Sequence, residues 1–388
     1  MASFVKNFFS GIRAIKRKSG TYKKIHTVNE LLDLPNQQTP NYRRVHNVDL
    51  SELDLSGYTN MFSGELPELY LSTAQAAQQN IVTDWTDNVI WPTPDKMPAG
   101  INPAQILEQA KQSPEIREMH YVGKTGQGIN IAIIDQRLNL EHPEYASNVK
   151  LYKVIPSYLK EKTAYHGSLV AGIAVGHTTG VAPDANLYYY SAPSSEIQKD
   201  GNRVHSRKYV IKAIKEIIKY NQTHPDSEKI RFLSCSWGGN EDLHKQECDE
   251  LFNICEQNGI KVIGGAYASL NVQPCDKRYP NRTNKIGIPT NGKTTSFWQG
   301  GFSYTRQGGF SSVCPYVAGV FACATQGNQI FFTRPNWQDE LTQILTNTAT
   351  ESEHGGKIIN PIGICEQVGQ IAREMEQKLI QQKSTQHE

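Results

Sequence analysis

Asp135, His166 and Ser311 are the side chains in this sequence whose types, taken together, can run acyl transfer. That chemistry needs a hydroxyl that gives up its proton and a base that takes it. It also needs a carboxylate that orients the base and stabilises its charged form. Each of the three stands where a regular element starts or stops. Asp135 closes the apolar run Ile129 to Ile134 that follows Gly128, and His166 opens a run of small residues, Gly167, Ala171, Gly172 and Ala174. Ser311 follows Gly308 and Gly309, precedes Pro315 by four residues, and begins a helical pattern of Val313, Val317, Val320, Phe321 and Ala324. Singly, each has a plainer reading. The aspartate reads as a turn residue, the histidine as structural, and the serine as an N-cap whose hydroxyl satisfies a free backbone N–H. Together they outweigh those readings, because helix-start N–H groups beside a serine can also hold an oxyanion.

Stepping outward from these residues, the chain alternates strand and helix signals. Ile131 to Asp135 has no polar alternation, as expected of a strand buried on both faces. Leu187 to Tyr190, Ile230 to Cys235 and Ile260 to Ala266 read as further strands. Tyr209 to Tyr220 is an amphipathic helix with Val210, Ile211, Ile214, Ile217 and Ile218 on its buried side. Cys248 to Asn258, Ser311 to Ala324 and Cys365 to Gln382 read as helices as well. Such alternation predicts an α/β fold in three layers, a mostly parallel central sheet flanked by helices. Catalytic groups of such sheets gather at the carboxyl ends of the strands, where Asp135 is expected.

The order Asp…His…Ser, with a short first interval and a long second, is the order found in subtilisin. The local residues resemble the same family. Ile131 to Asp135 with His142-Pro143-Glu144 is similar to the subtilase aspartate motif, and His166 to Gly172 to its histidine motif. Gly180 to Ala185 matches a segment that usually follows. Gly309-x-Ser311-x-x-x-Pro315-x-Val317-Ala318-Gly319 matches the serine motif. The likeness covers about residues 120 to 350 and implies a subtilisin-like serine endopeptidase acting through an acyl-enzyme. Ser311 would be nucleophile, His166 base and then acid, and Asp135 its orienting partner. The resemblance further implies that Ser236, Trp237 and Gly238 bind an extended protein or peptide substrate, with Gly264 to Tyr267 as the opposite wall. Calcium sites are common in the family, so the resemblance leaves a structural calcium open, but no ligand set is assignable here; no cofactor and no other metal is expected.

The sequence also departs from the family. Gln136 stands where Thr or Ser usually follows the aspartate, and Leu169 replaces a common second histidine. Phe310, Ser312 and Val313 are unusual neighbours of the nucleophile. Ala268 occupies the position of the asparagine that normally helps hold the oxyanion, with Ser269 and Asn271 as nearby substitutes. These departures motivate an alternative, a catalytically weak or inactive subtilase fold used for binding or regulation. A lipase-type nucleophile elbow is excluded, because it would need glycine at Val313 and a different triad order.

Composition bounds the rest. Lys and Arg total 40 against 38 Asp and Glu, so nothing calls for a nucleic-acid partner. Seven cysteines without paired CxxC spacing read as free thiols of a reducing compartment. With no apolar run long enough to span a bilayer and no secretory signal recognised, a cytoplasmic protein is expected. Residues 1–118 form an N-terminal extension, either a folded pro-segment or an arm laid over residues 119–388, the peptidase domain with its C-terminal helix. Phe4, Phe8, Ile12 and Ile15 share one face of a possible first helix, and Ile106, Leu107 and Ala110 suggest a short second one.

Overall fold

The structure, a computed structural model, describes residues 22–32, 48–57, 59–61, 69–72, 81–83, 89–99, 102, 113–156, 165–237, 243–264, 270–275, 285–290, 293–296, 302–305, 309–352 and 356–385. The two short helices expected at Phe4 to Ile15 and Ile106 to Ala110 lie outside them, as do Gly238, Ala268, Ser269 and Gly308.

Five parallel strands form the central sheet, in the order Lys261–Gly264, Ile230–Cys235, Asn130–Asp135, Asn186–Ser191 and Val149–Val154. Asn130–Asp135 lies in the middle and is buried at every position. Its side chains divide by parity, as a two-residue repeat requires. Ile131 and Ile133 join a core with the helices Tyr165–Val175 and Phe310–Thr325. Ala132 and Ile134 face the opposite layer, the helices Lys208–Thr223 and Lys245–Gln257. Asp135, two residues beyond Ile133, therefore faces the layer that carries His166 and Ser311. The three-layer reading of the sequence is what the chain adopts.

The helices Tyr165–Val175 and Phe310–Thr325 pack against each other beneath the sheet. Close approach there rests on glycine. A Cβ on Gly319 would lie 2.6 Å from Cβ of Val181. Pro361–Thr385 packs against the outer side of Phe310–Thr325, with Ile364, Val368 and Ala372 buried.

By compactness the chain forms two units, residues 1–63 with 68–103, and residues 64–67 with 104–388. The division falls ahead of the boundary expected at residue 118, because Pro114–Tyr121 is a helix of the larger unit. Its Ile116 and Met119 are fully buried in that unit's core. The smaller unit buries Ile25, Leu31, Val48, Leu50, Leu53, Leu55, Val89 and Met97. It holds a parallel sheet of Lys23–Lys24, Val48–Asp49 and Val89–Ile90 and an antiparallel one of Thr59–Met61, Leu69–Ser72 and Ile81–Thr83.

In the larger unit, the entry to the central strand is clamped to the far end of the serine-bearing helix. Gln326 Oε1 accepts from the backbone N–H of Thr125 at 2.7 Å and of Gly126 at 2.9 Å. Its Nε2 donates to the Gly123 carbonyl at 3.0 Å. Gln326→Ala removes these bonds at a half-buried site, a loss of about 1–3 kcal/mol. Calorimetry should show melting about 2–6 °C lower; an unchanged melting temperature would mean that water replaces the amide without cost.

Candidate active site

Asp135 ends the central strand with no solvent exposure. Its Oδ1 accepts two bonds, from the Gln136 N–H at 2.7 Å and from His166 Nδ1 at 2.8 Å. A carboxylate can only accept, so the proton between them belongs to Nδ1 and the ring's Nε2 keeps its lone pair. The imidazole is 24% exposed while the carboxylate is sealed. The pair therefore has one closed end and one open edge, as a base reached by substrate must.

His166 reaches Asp135 because the next residue has no side chain. A Cβ on Gly167 would lie 2.5 Å from the Tyr189 hydroxyl and 2.6 Å from the Gln136 carbonyl oxygen. Tyr189, from the neighbouring strand, donates its hydroxyl to that carbonyl at 2.5 Å and pins the turn after Asp135. Burial, reinforced by the Asp135 charge, pushes the Tyr189 phenol far above its ordinary range, so it stays a donor. Below the histidine, Tyr145 donates to Ser168 at 2.8 Å.

Ser311 stands half-buried at the second position of Phe310–Thr325, after the extended cap residue Gly309. Its backbone carbonyl accepts from Ser236 Oγ at 3.1 Å. Ser236 lies just past the strand Ile230–Cys235, where Cys235 pairs with Ile134. Trp237 Nε1 donates to the Ile134 carbonyl at 2.9 Å. The structure thus joins Asp135 to His166 directly, and ties Ser236 and Trp237 to the serine helix and the aspartate strand. Cys314, three residues after Ser311, is no rival nucleophile: burial pushes its thiol up to about 12.

Two features escaped the sequence reading. Glu144, quoted only as part of the aspartate motif, is a fully buried carboxylate that holds the turn after the histidine helix. It accepts from the Thr178 N–H at 2.9 Å, the Thr178 hydroxyl at 2.6 Å, and the Thr179 N–H and hydroxyl, both at 3.2 Å. Asp135 Oδ2 is buried with no hydrogen-bond partner among the described residues. The usual hydroxyl after the aspartate is Gln136 here, and that substitution was the available signal.

His166 has its proton affinity set by opposing influences. Burial, the largest, disfavours the charged ring, but the Asp135 charge and hydrogen bond together hold it above the ordinary 6.5. Protonation disables a base, so any activity through His166 belongs to the alkaline side of that midpoint. Titration of histidine followed by NMR should place His166 above 6.5, and Asp135→Asn should lower the midpoint. Identical titrations in the two proteins would remove Asp135 as the cause.

Residues 126–272 match the subtilase family, peptidase S8. The span contains Asp135, His166 and Ser236 and stops before Ser311. A subtilisin-like protease of Coccidioides posadasii is 27% identical over 252 residues, 58% of this chain and 59% of that protein. An extracellular serine protease of Aeromonas sobria is 36% identical over 176 residues, 38% of this chain and 24% of that protein. The chain thus spans little more than half of the first relative and a quarter of the second. Among solved structures, the prenylagaramide maturation protease PagA superimposes with a TM-score of 0.49 at 16% identity, covering 66% of this chain and 99% of that one. The aspartate and histidine motifs both lie inside the matched span, and a strand end and a helix start bring the two residues together, so over residues 126–272 the chain is similar to the subtilase family.

Proposed function

We propose that this chain is a serine endopeptidase that hydrolyses peptide bonds with Ser311 as nucleophile, His166 as general base and Asp135 as its orienting carboxylate. The observation that carries the reading is the 2.8 Å bond from His166 Nδ1 to a sealed Asp135, which leaves Nε2 as the ring's basic nitrogen. Ser311 supports it by its place at the start of a helix packed against the histidine helix.

In the proposed reaction Ser311 Oγ attacks the scissile carbonyl while His166 Nε2 takes the hydroxyl proton. Asp135 stabilises the imidazolium without accepting that proton. Negative charge develops on the former carbonyl oxygen, and the backbone N–H of Ser311, in the helix's first turn, is a donor with no acceptor due to it within the helix. His166 then protonates the leaving amine, and an acyl-enzyme on Ser311 remains. Water, deprotonated by the same nitrogen, hydrolyses the ester and restores the serine. By sequence, Ala268 stands where an asparagine donor is usual, with Ser269 and Asn271 as nearby substitutes. Loss of that donor in subtilisin costs about 10²–10³ in kcat, which slows the reaction without ending it.

The substrate in this reading is an extended protein or peptide segment laid along Ser236 to Gly238, held chiefly through main-chain groups. A cytoplasmic location goes with it, supported by seven buried cysteines with no disulfide bond among the described residues.

The test is covalent. A fluorophosphonate probe should label Ser311, located by peptide mass spectrometry. Ser311→Ala should abolish both the labelling and the cleavage of a denatured protein. Labelling that survives in Ser311→Ala would refute the assignment. No labelling of the unaltered protein would favour the non-catalytic, binding reading.

A further inference from the structure

Pro315 leaves a gap in the helix that begins at Ser311. In an α-helix the N–H of residue i bonds the carbonyl of residue i−4, and proline has no N–H. The carbonyl deprived of its partner by Pro315 is that of Ser311 itself. Ser236 Oγ donates to this oxygen at 3.1 Å, from a different element of the fold. Strand geometry explains why the hydroxyl is there. Cys235 pairs with Ile134, so one step further along the two parallel strands Ser236 runs beside Asp135. Phe232 faces the serine-helix core and Leu233 the opposite layer, and the same alternation turns Ser236 towards Phe310–Thr325. Ser236 is also within hydrogen-bonding reach of Cys314, a contact that lowers the thiol's proton affinity against the larger, opposite effect of burial.

We propose that the Ser236 side chain is a positioning residue for the candidate nucleophile: its hydroxyl replaces the N–H that Pro315 lacks and fixes the backbone of Ser311 relative to the Asp135 strand. The inference rests on the proposed role of Ser311 and gives Ser236 a task separate from the substrate contact that family resemblance suggests. It also accounts for serine and proline together. Proline at 315 stops the helix from satisfying the Ser311 carbonyl internally, so that carbonyl is held by the strand that runs alongside Asp135. The nucleophile is thereby referenced to the sheet that carries its partner.

The experiment measures inactivation by a fluorophosphonate, separating the maximal rate kinact from the probe affinity KI, on folded proteins with melting temperatures recorded in parallel. In Ser236→Ala, kinact should fall about 10-fold while KI moves less than about 2-fold, as expected when one buried carbonyl loses its donor. Ser236→Thr, which keeps the hydroxyl, should stay within about 3-fold of the unaltered protein. The decisive variant is Pro315→Ala, which restores an N–H four residues after Ser311. Combined with Ser236→Ala it should recover kinact to within about 3-fold of Pro315→Ala alone. An unchanged kinact in Ser236→Ala, a change confined to KI, or no recovery in the double variant would each overturn the positioning role while leaving Ser311 as nucleophile. Absence of labelling at Ser311 in the unaltered protein would overturn both.

Discussion

A carboxylate with no solvent exposure must be compensated where it sits, and in this fold that carboxylate is Asp135. Breaking a buried ionic pair by removing one partner typically costs about 3–5 kcal/mol, because a charge is left behind without water. The sheet places Asp135 at its buried centre, so compensation must come from the layer beneath. His166 and the Gln136 N–H supply it, both at the same oxygen. Much of the surrounding architecture follows from bringing an imidazole that close. Gly167 lets the helix start approach the turn, Tyr189 fixes the turn it approaches, and Glu144 anchors the loop after the helix through four hydrogen bonds.

The serine helix meets the same sheet under a different constraint. Its interior is small and apolar, and it is buried along nearly its whole length. Packing of that kind fixes distance between layers but does little to fix translation along the helix axis. Polar contacts at the two ends supply the missing register. At the far end Gln326 grips the backbone that enters the central strand, and at the near end Ser236 grips the backbone of Ser311. Gly319 against Val181 sets the depth between them. The candidate nucleophile and the candidate base are thus held by separate devices that share one reference, the strand Asn130–Asp135.

Features written in local pattern were legible before any coordinates. The apolar run ending at Asp135, the small-residue helix after His166 and the helix after Ser311 each carry their signal within a dozen residues. The parallel three-layer sheet follows from their alternation. Contacts between distant segments were not legible in the same way. Glu144 binds residues more than thirty positions away, and nothing in His142-Pro143-Glu144 distinguishes a loop anchor from a surface acid. Ile116 falls within the extension expected over residues 1–118, since the helix that packs against its own comes from the far end of the chain. The resemblance assigns the segment Ser236 to Gly238 to substrate binding and gives the Ser236 hydroxyl no task. Its bond to the Ser311 carbonyl becomes apparent once strand parity is combined with the missing N–H of Pro315.

That bond bears on how a substrate would be recognised in the proposed reaction. Ser236 and Trp237 are the two described members of the expected substrate-binding segment, and both direct their polar side-chain atoms into the protein. A hydroxyl donating to Ser311 and an indole donating to Ile134 have no further hydrogen to offer a ligand. Recognition along this edge would then fall to main-chain N–H and C=O groups, which pair with any extended peptide and discriminate little among side chains. Selectivity would have to arise from pocket shape elsewhere in the cleft. A segment that keeps its side chains for scaffolding and its backbone for binding holds the nucleophile in place and accepts varied sequences, and the same two hydrogen bonds accomplish both.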